Sequence, residues 1–371
     1  MPDHCAVADL SQCEARTRRS PIACLAVRAV TVSVNLAAPS FEHVLRLTDE
    51  RGMFEHADGT TPRRDGGYCL DDVARGLVVV CRHRPATSTL DGLATTYLSF
   101  VRRAQASDGR CHNRLDRHGR WEDQPDTGDW WGRALWGLGT AAARGPQPIR
   151  AAALRAFNLG LSQRSPHLHA MAFATLGAAE VSGVRPRHDG ALRLMGDFAA
   201  LAGRARTASA WPWPLARLTY ANAAIAEALI AAGEALGDKA VLADGLALLG
   251  WLLNVETSAD HLSVTAVGGW GPNEHRATFD QQPIEAAAMA DACARALVLT
   301  GEQRWAGGLA RAIRWFHGHN DGGIVLYDPE SGGGFDGLTP GGRNTNQGAE
   351  STLALIATLQ HGQHARTTVG G

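Results

Sequence analysis

The stretch TFDQQPIEAAAMADAC, Thr278–Cys293, sets an acid and two amides before a proline and then runs into small apolar residues, with Glu285 in the first turn. Proline is tolerated at a helix start, where its missing N–H would have no partner anyway. The segment therefore reads as a helix over 281–300 with a polar front and a body that is apolar on most faces. Such a helix needs neighbours all round it.

Outward from this stretch, helical periodicity predicts helices near 39–48, 71–84, 88–105, 129–143, 147–163, 166–182, 188–205, 217–236, 238–254, 281–300, 302–318 and 345–361. Alternating β-branched runs are few, so the class is all-α. The even-numbered members, among them DDVARGLVVV, WWGRALWGLG and ANAAIAEALIAAG, are small and apolar on most faces. The odd ones, such as EQRWAGGLARAIRWFHGH, carry an arginine-studded face. Six parallel inner helices inside six outer ones account for the alternation, which is an (α/α)6 toroid spanning 37–361. Residues 1–36 read as a disordered leader or a mis-called start, and 362–371 as a disordered tail. Three longer segments, 106–128, 255–279 and 319–344, precede inner helices; loops of that length in a compact domain tend to be functional.

A chain of 371 residues with 45% hydrophobic content can bury a large core. Lys+Arg 36 against Asp+Glu 37, without a basic run, gives no case for nucleic acid. Lys239 is the only lysine, so the arginines reflect a general bias and do not point to phosphate binding. The seven cysteines are odd in number and lack C-x-x-C spacing, which points to reduced thiols in the cytoplasm and no metal site. No apolar run reaches the roughly 18 residues of a membrane span. The charged and apolar pattern within 1–36 resembles a signal peptide, but Arg28 interrupts its apolar part. With no Rossmann or P-loop fingerprint at a strand–helix junction, no cofactor is expected.

Parallel inner helices bring their N-terminal ends to one mouth, and those ends read GYCLDDVAR, TGDWWGR, SPHLH, LTYANA, FDQQPIE and NTNQGAES. The opposite ends read as alanine, leucine and glycine. Acids, amides and indoles without a metal or phosphate signature point to carbohydrate. A glycoside hydrolase needs two carboxylates, one acid and one base or nucleophile. Asp72 and Asp280 are the leading pair, with Glu285 and Glu350 as further catalytic candidates. Asp71, Arg75, Asp129, Arg133, Trp211, Trp213, Tyr220, Asn222, Gln281, Asn346 and Gln347 are the candidate substrate-binding residues.

Each has a structural alternative. Asp280 reads equally as a helix N-cap, and Glu350 as a buried ion pair with Arg75 or Arg133. DDVARGL and DWWGRAL both set an aspartate four residues before an arginine, which is either an i,i+4 pair at a helix start or the rim of a shared pocket. Glu285, in an apolar helix, needs a partner or a task. Adjacent Asp71 and Asp72 push one of their pKa values up. Trp130, Trp131, Trp211, Trp213 and Trp270 fall near the pocket loops, where indoles either stack on sugar rings or pack the core. His167, His169, His317 and His319 offer epimerase or metal chemistry, although i,i+2 spacing does not put a pair on one helix face.

LRLTDERGMFEHA, GYCLDDVARGL, GRALWGLG, WPWPLARLTYANA, FDQQPIEAAAMADAC, LYDPESGGGFDGL and NTNQGAESTLAL together resemble bacterial proteins of six-hairpin glycosidase-like fold that occur alone or fused to glycosyltransferase domains. The resemblance covers roughly 37–361. It implies the toroid, a role in carbohydrate metabolism on an oligosaccharide or glycoconjugate, and a glycosyltransferase as partner. A non-catalytic saccharide-binding partner of such an enzyme, or a sugar epimerase or isomerase, are the competing functions. Val73, Pro214, Leu215, Gly128 and Trp131 stand where the family pattern carries polar groups.

Overall fold

The computed structural model describes residues 38–205 and 209–367, with side chains described to 362. The leader at 1–36 lies outside the described residues, as do Cys5, Cys13, Cys24 and the last four residues of the tail.

Among the described residues, twelve α-helices form two concentric rings. The inner ring is α2 (Leu70–Arg82), α4 (Asp129–Arg144), α6 (Leu168–Val184), α8 (Ala223–Leu236), α10 (Pro283–Thr300) and α12 (Ala349–Thr367). Each packs on the next, and α12 returns to α2 to close the circle. The outer ring is α1 (Glu42–Leu47), α3 (Ser88–Ala104), α5 (Gln147–Gly160), α7 (Asp189–Ala202), α9 (Lys239–Val255) and α11 (Gln303–Phe316). This is the (α/α)6 toroid. Its inner members are buried almost throughout, as in α6, where even Thr175 and Ser182 are covered. The outer members bury one face, as in α11 with Trp305, Leu309, Ile313 and Phe316.

Small residues set the helix spacing. A Cβ on Gly132 of α4 would lie 2.1 Å from the Ala170 carbonyl oxygen of α6, and one on Gly139 would lie 2.2 Å from that of Gly177. Gly177 meets the Leu135 carbonyl in the same way, at 2.2 Å. Helices α4 and α6 thus touch backbone to backbone, which only residues without a side chain permit.

Among the described residues, four small antiparallel ladders edge the toroid: β1–β2 (Ala57–Asp58, Thr61–Pro62), β3–β4 (Tyr68–Cys69, Arg114–Leu115), β5–β6 (Thr257–Ser258, His261–Leu262) and β7–β8 (Gly337–Thr339, Gly342–Asn344). They fall in or beside the long segments before the inner helices. Ring closure is fixed by backbone bonds from Gln347 N–H to the Gly59 carbonyl, 3.0 Å, and from Ala349 N–H to the Glu55 carbonyl, 3.0 Å.

Two expected helices have a boundary that moves by more than three residues. The helix expected from 217 begins at Ala223, because Leu218 exchanges backbone hydrogen bonds with Trp270, at 2.8 and 3.0 Å. The helix expected over 345–361 begins at Ala349 and continues to Thr367. No helix among the described residues is long and apolar enough to cross a membrane.

Candidate functional site

The first turns of α2, α4 and α12, with the turn before α8, build an arc of alternating charge at one mouth of the ring. Arg75 of α2 pairs with Asp72 at 3.0 Å and with Glu350 of α12 at 2.7 Å. Arg133 of α4 reaches Asp71 of α2 at 3.2 Å and lies 4.0 Å above the Phe173 ring. Asp129 accepts a hydrogen bond from the Tyr220 hydroxyl, and the Tyr220 ring stacks on His169 of α6 at 4.5 Å. The two D-x-x-x-R repeats therefore make no i,i+4 pairs of their own. Arg75 reaches across to α12 and Arg133 across to α2, and the Glu350–Arg75 contact is the ion pair expected as the structural alternative for Glu350.

One guanidinium between two carboxyls can neutralise only one of them. Glu350 makes the shorter contact, and burial of Asp72 outweighs the pull of Arg75, so the Asp72 carboxyl is pushed up to about 7. Burial also raises Asp71, against the opposing effect of Arg133 and Arg75. Burial lowers His169 and keeps its ring neutral. Two polar atoms here are buried and have neither a hydrogen-bond nor an ion-pair partner, Arg75 Nε and His169 Nε2. Such atoms are costly to leave unpaired.

The other expected site residues are placed differently. Glu285, only 3% exposed, accepts from the backbone N–H of Ala221 and, at 3.3 Å, from the N–H and side-chain amide of Asn222. Burial pushes its carboxyl well above the usual range. It is spent on holding the turn before α8, where Ala221 sits at a left-handed φ of 45°, and that turn presents Tyr220 to Asp129. Asn222 completes the turn by accepting from Thr219 N–H at 2.9 Å. Gln281 is fully buried, taking the Trp315 indole N–H at 3.0 Å and donating to Thr278 and Asp321. Gln347 bonds Ser331 at 2.6 Å and Asp328 at 3.1 Å, and Asn346 accepts from Gly59 N–H at 3.0 Å. These amides tie loops together.

Trp211 and Trp213 pack on Trp251 of the outer helix α9, with ring centroids 5.2 and 5.9 Å apart, and Trp270 joins the cluster. Trp131 is fully buried, and the half-buried Trp130 donates to the Cys111 carbonyl. Asp280 is exposed and is not the cap of α10: that position is Gln282, without a side-chain cap bond.

Two features escaped the sequence reading. Glu55, from the loop before β1, joins Cys69 and Asp72, with one ligand atom from each within 4.8 Å of the others. Arg114 already pairs with Glu55 and Arg75 with Asp72, so both carboxyls of this would-be cation site hold arginines. Burial raises the Cys69 thiol, and the neighbouring acids add to the effect. The second is at the opposite end of the inner ring, which is not merely alanine, leucine and glycine. Arg82 pairs with Asp291 at 3.0 Å and Glu180 at 3.7 Å, Arg144 with Glu180 at 2.6 Å, Arg295 with Glu227 at 3.0 Å, and His361 with Asp291. All six inner helices contribute. Burial acts to raise Asp291 and Glu180, but Arg82 and the other cations overcome it and hold both below the usual range.

Between the two charged layers lies an axial cavity of about 50 Å³, lined by Arg75, Arg133 and Glu350 above, by Trp136, Phe173 and Ile284 among others at the waist, and by Arg82, Glu227 and Asp291 below.

No protein-family model matches the sequence, and no curated protein matches it. Solved structures do match. A cellobiose 2-epimerase from Spirochaeta thermophila is 14% identical with a TM-score of 0.63, over 88% of this chain and 96% of that one. A D-mannose isomerase is 11% identical with a TM-score of 0.64, over 87% and 95% of the two chains. An α-mannanase from Bacteroides thetaiotaomicron is 10% identical with a TM-score of 0.61, over 89% and 96%. The chain has the six-hairpin glycosidase-like fold. Hydrolases and epimerases both use this toroid, so the fold leaves the reaction to be argued from the mouth.

Proposed function

We propose that the mouth binds a saccharide and that the protein hydrolyses a glycosidic bond of an oligosaccharide or glycoconjugate. The observation that carries this reading is the Asp72–Arg75–Glu350 bridge, in which two carboxyls from different helices share one cation and burial keeps Asp72 protonated near neutrality. In the proposed step the Asp72 carboxyl donates its proton to the glycosidic oxygen as the bond to the anomeric carbon breaks. The Glu350 carboxylate takes a proton from the water that attacks that carbon. Asp280, exposed and unused as a cap, is the competing base. Arg75, Arg133, Asp71, Asp129 and Tyr220 orient hydroxyls. The four described cysteines are free, which supports a reducing compartment such as the cytoplasm.

Incubation with a panel of oligosaccharides, read as new reducing ends, tests the proposal. Turnover that is lost in Asp72→Asn and Glu350→Gln supports it. Binding without turnover makes the protein a saccharide-binding partner, of a glycosyltransferase in the first instance. Epimerisation or isomerisation has one observation in its favour, the buried, neutral and unpartnered His169 Nε2 beside Tyr220. Conversion of a free monosaccharide without release of another sugar, followed by proton NMR, would establish that reading instead.

A further inference from the structure

We infer that the mouth takes a single uncharged hexopyranose ring, the terminal unit of its substrate, and does not grip a run of sugars. This rests on the reading of the mouth as a saccharide site and adds which saccharide it accepts. Depth is the first constraint. The axial cavity below Arg75 and Arg133 measures about 50 Å³, space for a few water molecules. The Arg82–Asp291 pair and Glu227 lie at its floor. A sugar therefore rests on the arginine layer and cannot thread through the ring.

Stacking surface is the second. Clefts that hold several sugars use successive flat aromatic faces. Here Trp211, Trp213, Trp251 and Trp270 pack against one another, and the Tyr220 ring lies on His169. Recognition falls to polar groups, and these are arranged for neighbouring hydroxyls. Along Glu350, Arg75, Asp71, Arg133 and Asp129, carboxyl and guanidinium alternate. A hydroxyl both donates and accepts, so each of two vicinal hydroxyls can donate to a carboxylate while accepting from the adjacent guanidinium. Arg75 Nε, which has no partner of its own, is a further donor in this row.

Charge is the third. Even with Asp72 protonated, Asp71, Asp129 and Glu350 outnumber Arg75 and Arg133, and both arginines already hold a carboxyl. A uronate would bring a further negative charge into this acid-rich arc, where like charges at close range are strongly penalised.

Titration calorimetry and saturation-transfer NMR on the full-length wild-type protein test this. The probes are methyl gluco-, galacto- and mannopyranosides, the cello-, malto- and mannotetraoses, and methyl glucopyranosiduronate. At least one methyl hexopyranoside is expected to bind. The tetraose with the same terminal sugar is expected to gain less than about tenfold in affinity, and the uronate to bind at least about tenfold more weakly. A larger gain from added sugars, a uronate bound within tenfold of the neutral sugar, or failure of every methyl hexopyranoside would overturn the inference. Single-ring binding with no turnover of any oligosaccharide sinks the hydrolase reading and leaves this one standing. Turnover accompanied by a steep gain with chain length does the reverse.

Discussion

The two ends of the inner ring carry similar residues in opposite energetic states. At the base, Arg82 meets Asp291 and Glu180 and both are held below their usual pKa, while burial raises the neighbouring Glu227 against Arg295. At the mouth, Arg75 is shared between two acids, Asp72 rises to about 7, and polar atoms stay unpartnered. Matched charges stabilise the fold, and mismatched ones leave groups ready for chemistry at a cost in stability.

The largest expected effect breaks the base. Arg82→Ala leaves Asp291 and Glu180 buried with their central cation gone, and should cost about 3–5 kcal/mol, read as a lowered Tm. An unchanged Tm would erase the contrast between the ends. Asp72→Asn should behave in the opposite way: turnover falls by about 100-fold or more, while Tm at pH 8 holds or rises, because a carboxyl that resists ionisation has been replaced by a neutral amide. Loss of Tm alongside activity would make Asp72 a structural residue.

Stability against pH sharpens the comparison, because the signs differ. Asp72 is raised in the fold from 3.8 to about 7, so the native state binds the extra proton and stability falls as pH rises through that window. Turnover should fall as pH rises above about 7 if Asp72 is the donor. Asp291 and Glu180 are lowered in the fold. Their contribution is complete above the unfolded carboxylate pKa of roughly 4 and is lost as pH falls through the depressed folded values. Melting curves of Asp291→Asn should lose this acid limb, and those of Asp72→Asn should lose the neutral one. The smallest effect belongs to Tyr220→Phe, which removes one hydrogen bond to Asp129 and should change kcat/KM by about 2- to 10-fold, with Tm unchanged.

The toroid was legible because the 3.6-residue period and the alternation of all-apolar with arginine-faced helices are strong, repeated signals. Helix α8 was begun too early because the Leu218–Trp270 bridge, a contact between distant residues, overrides a local helical pattern. The arc of Asp71, Asp72, Arg75, Asp129, Arg133 and Glu350 was legible from its place at inner-helix entrances. Trp211 and Trp213 were not, because an indole serves core and ligand equally well and sequence does not say which face is covered. The base network has a signal in the sequence. Arg82, Glu180, Glu227 and Asp291 all fall inside inner helices that are otherwise apolar, where an unpaired charge is costly, so each implied a partner. Glu55 had no such mark, since a loop residue acquires its neighbours only through the chain's return.

The seam where α4 and α6 meet at Gly132, Gly139 and Gly177 has a consequence for the aperture. Arg133 and His169 sit on the two helices that flank it, so their separation is set by bare main chain, with no side chain between that could rearrange. An alanine at Gly132 would act as a wedge: it would widen the circumference of the whole ring, and the rim residues on both sides would move apart by the thickness of one methyl group.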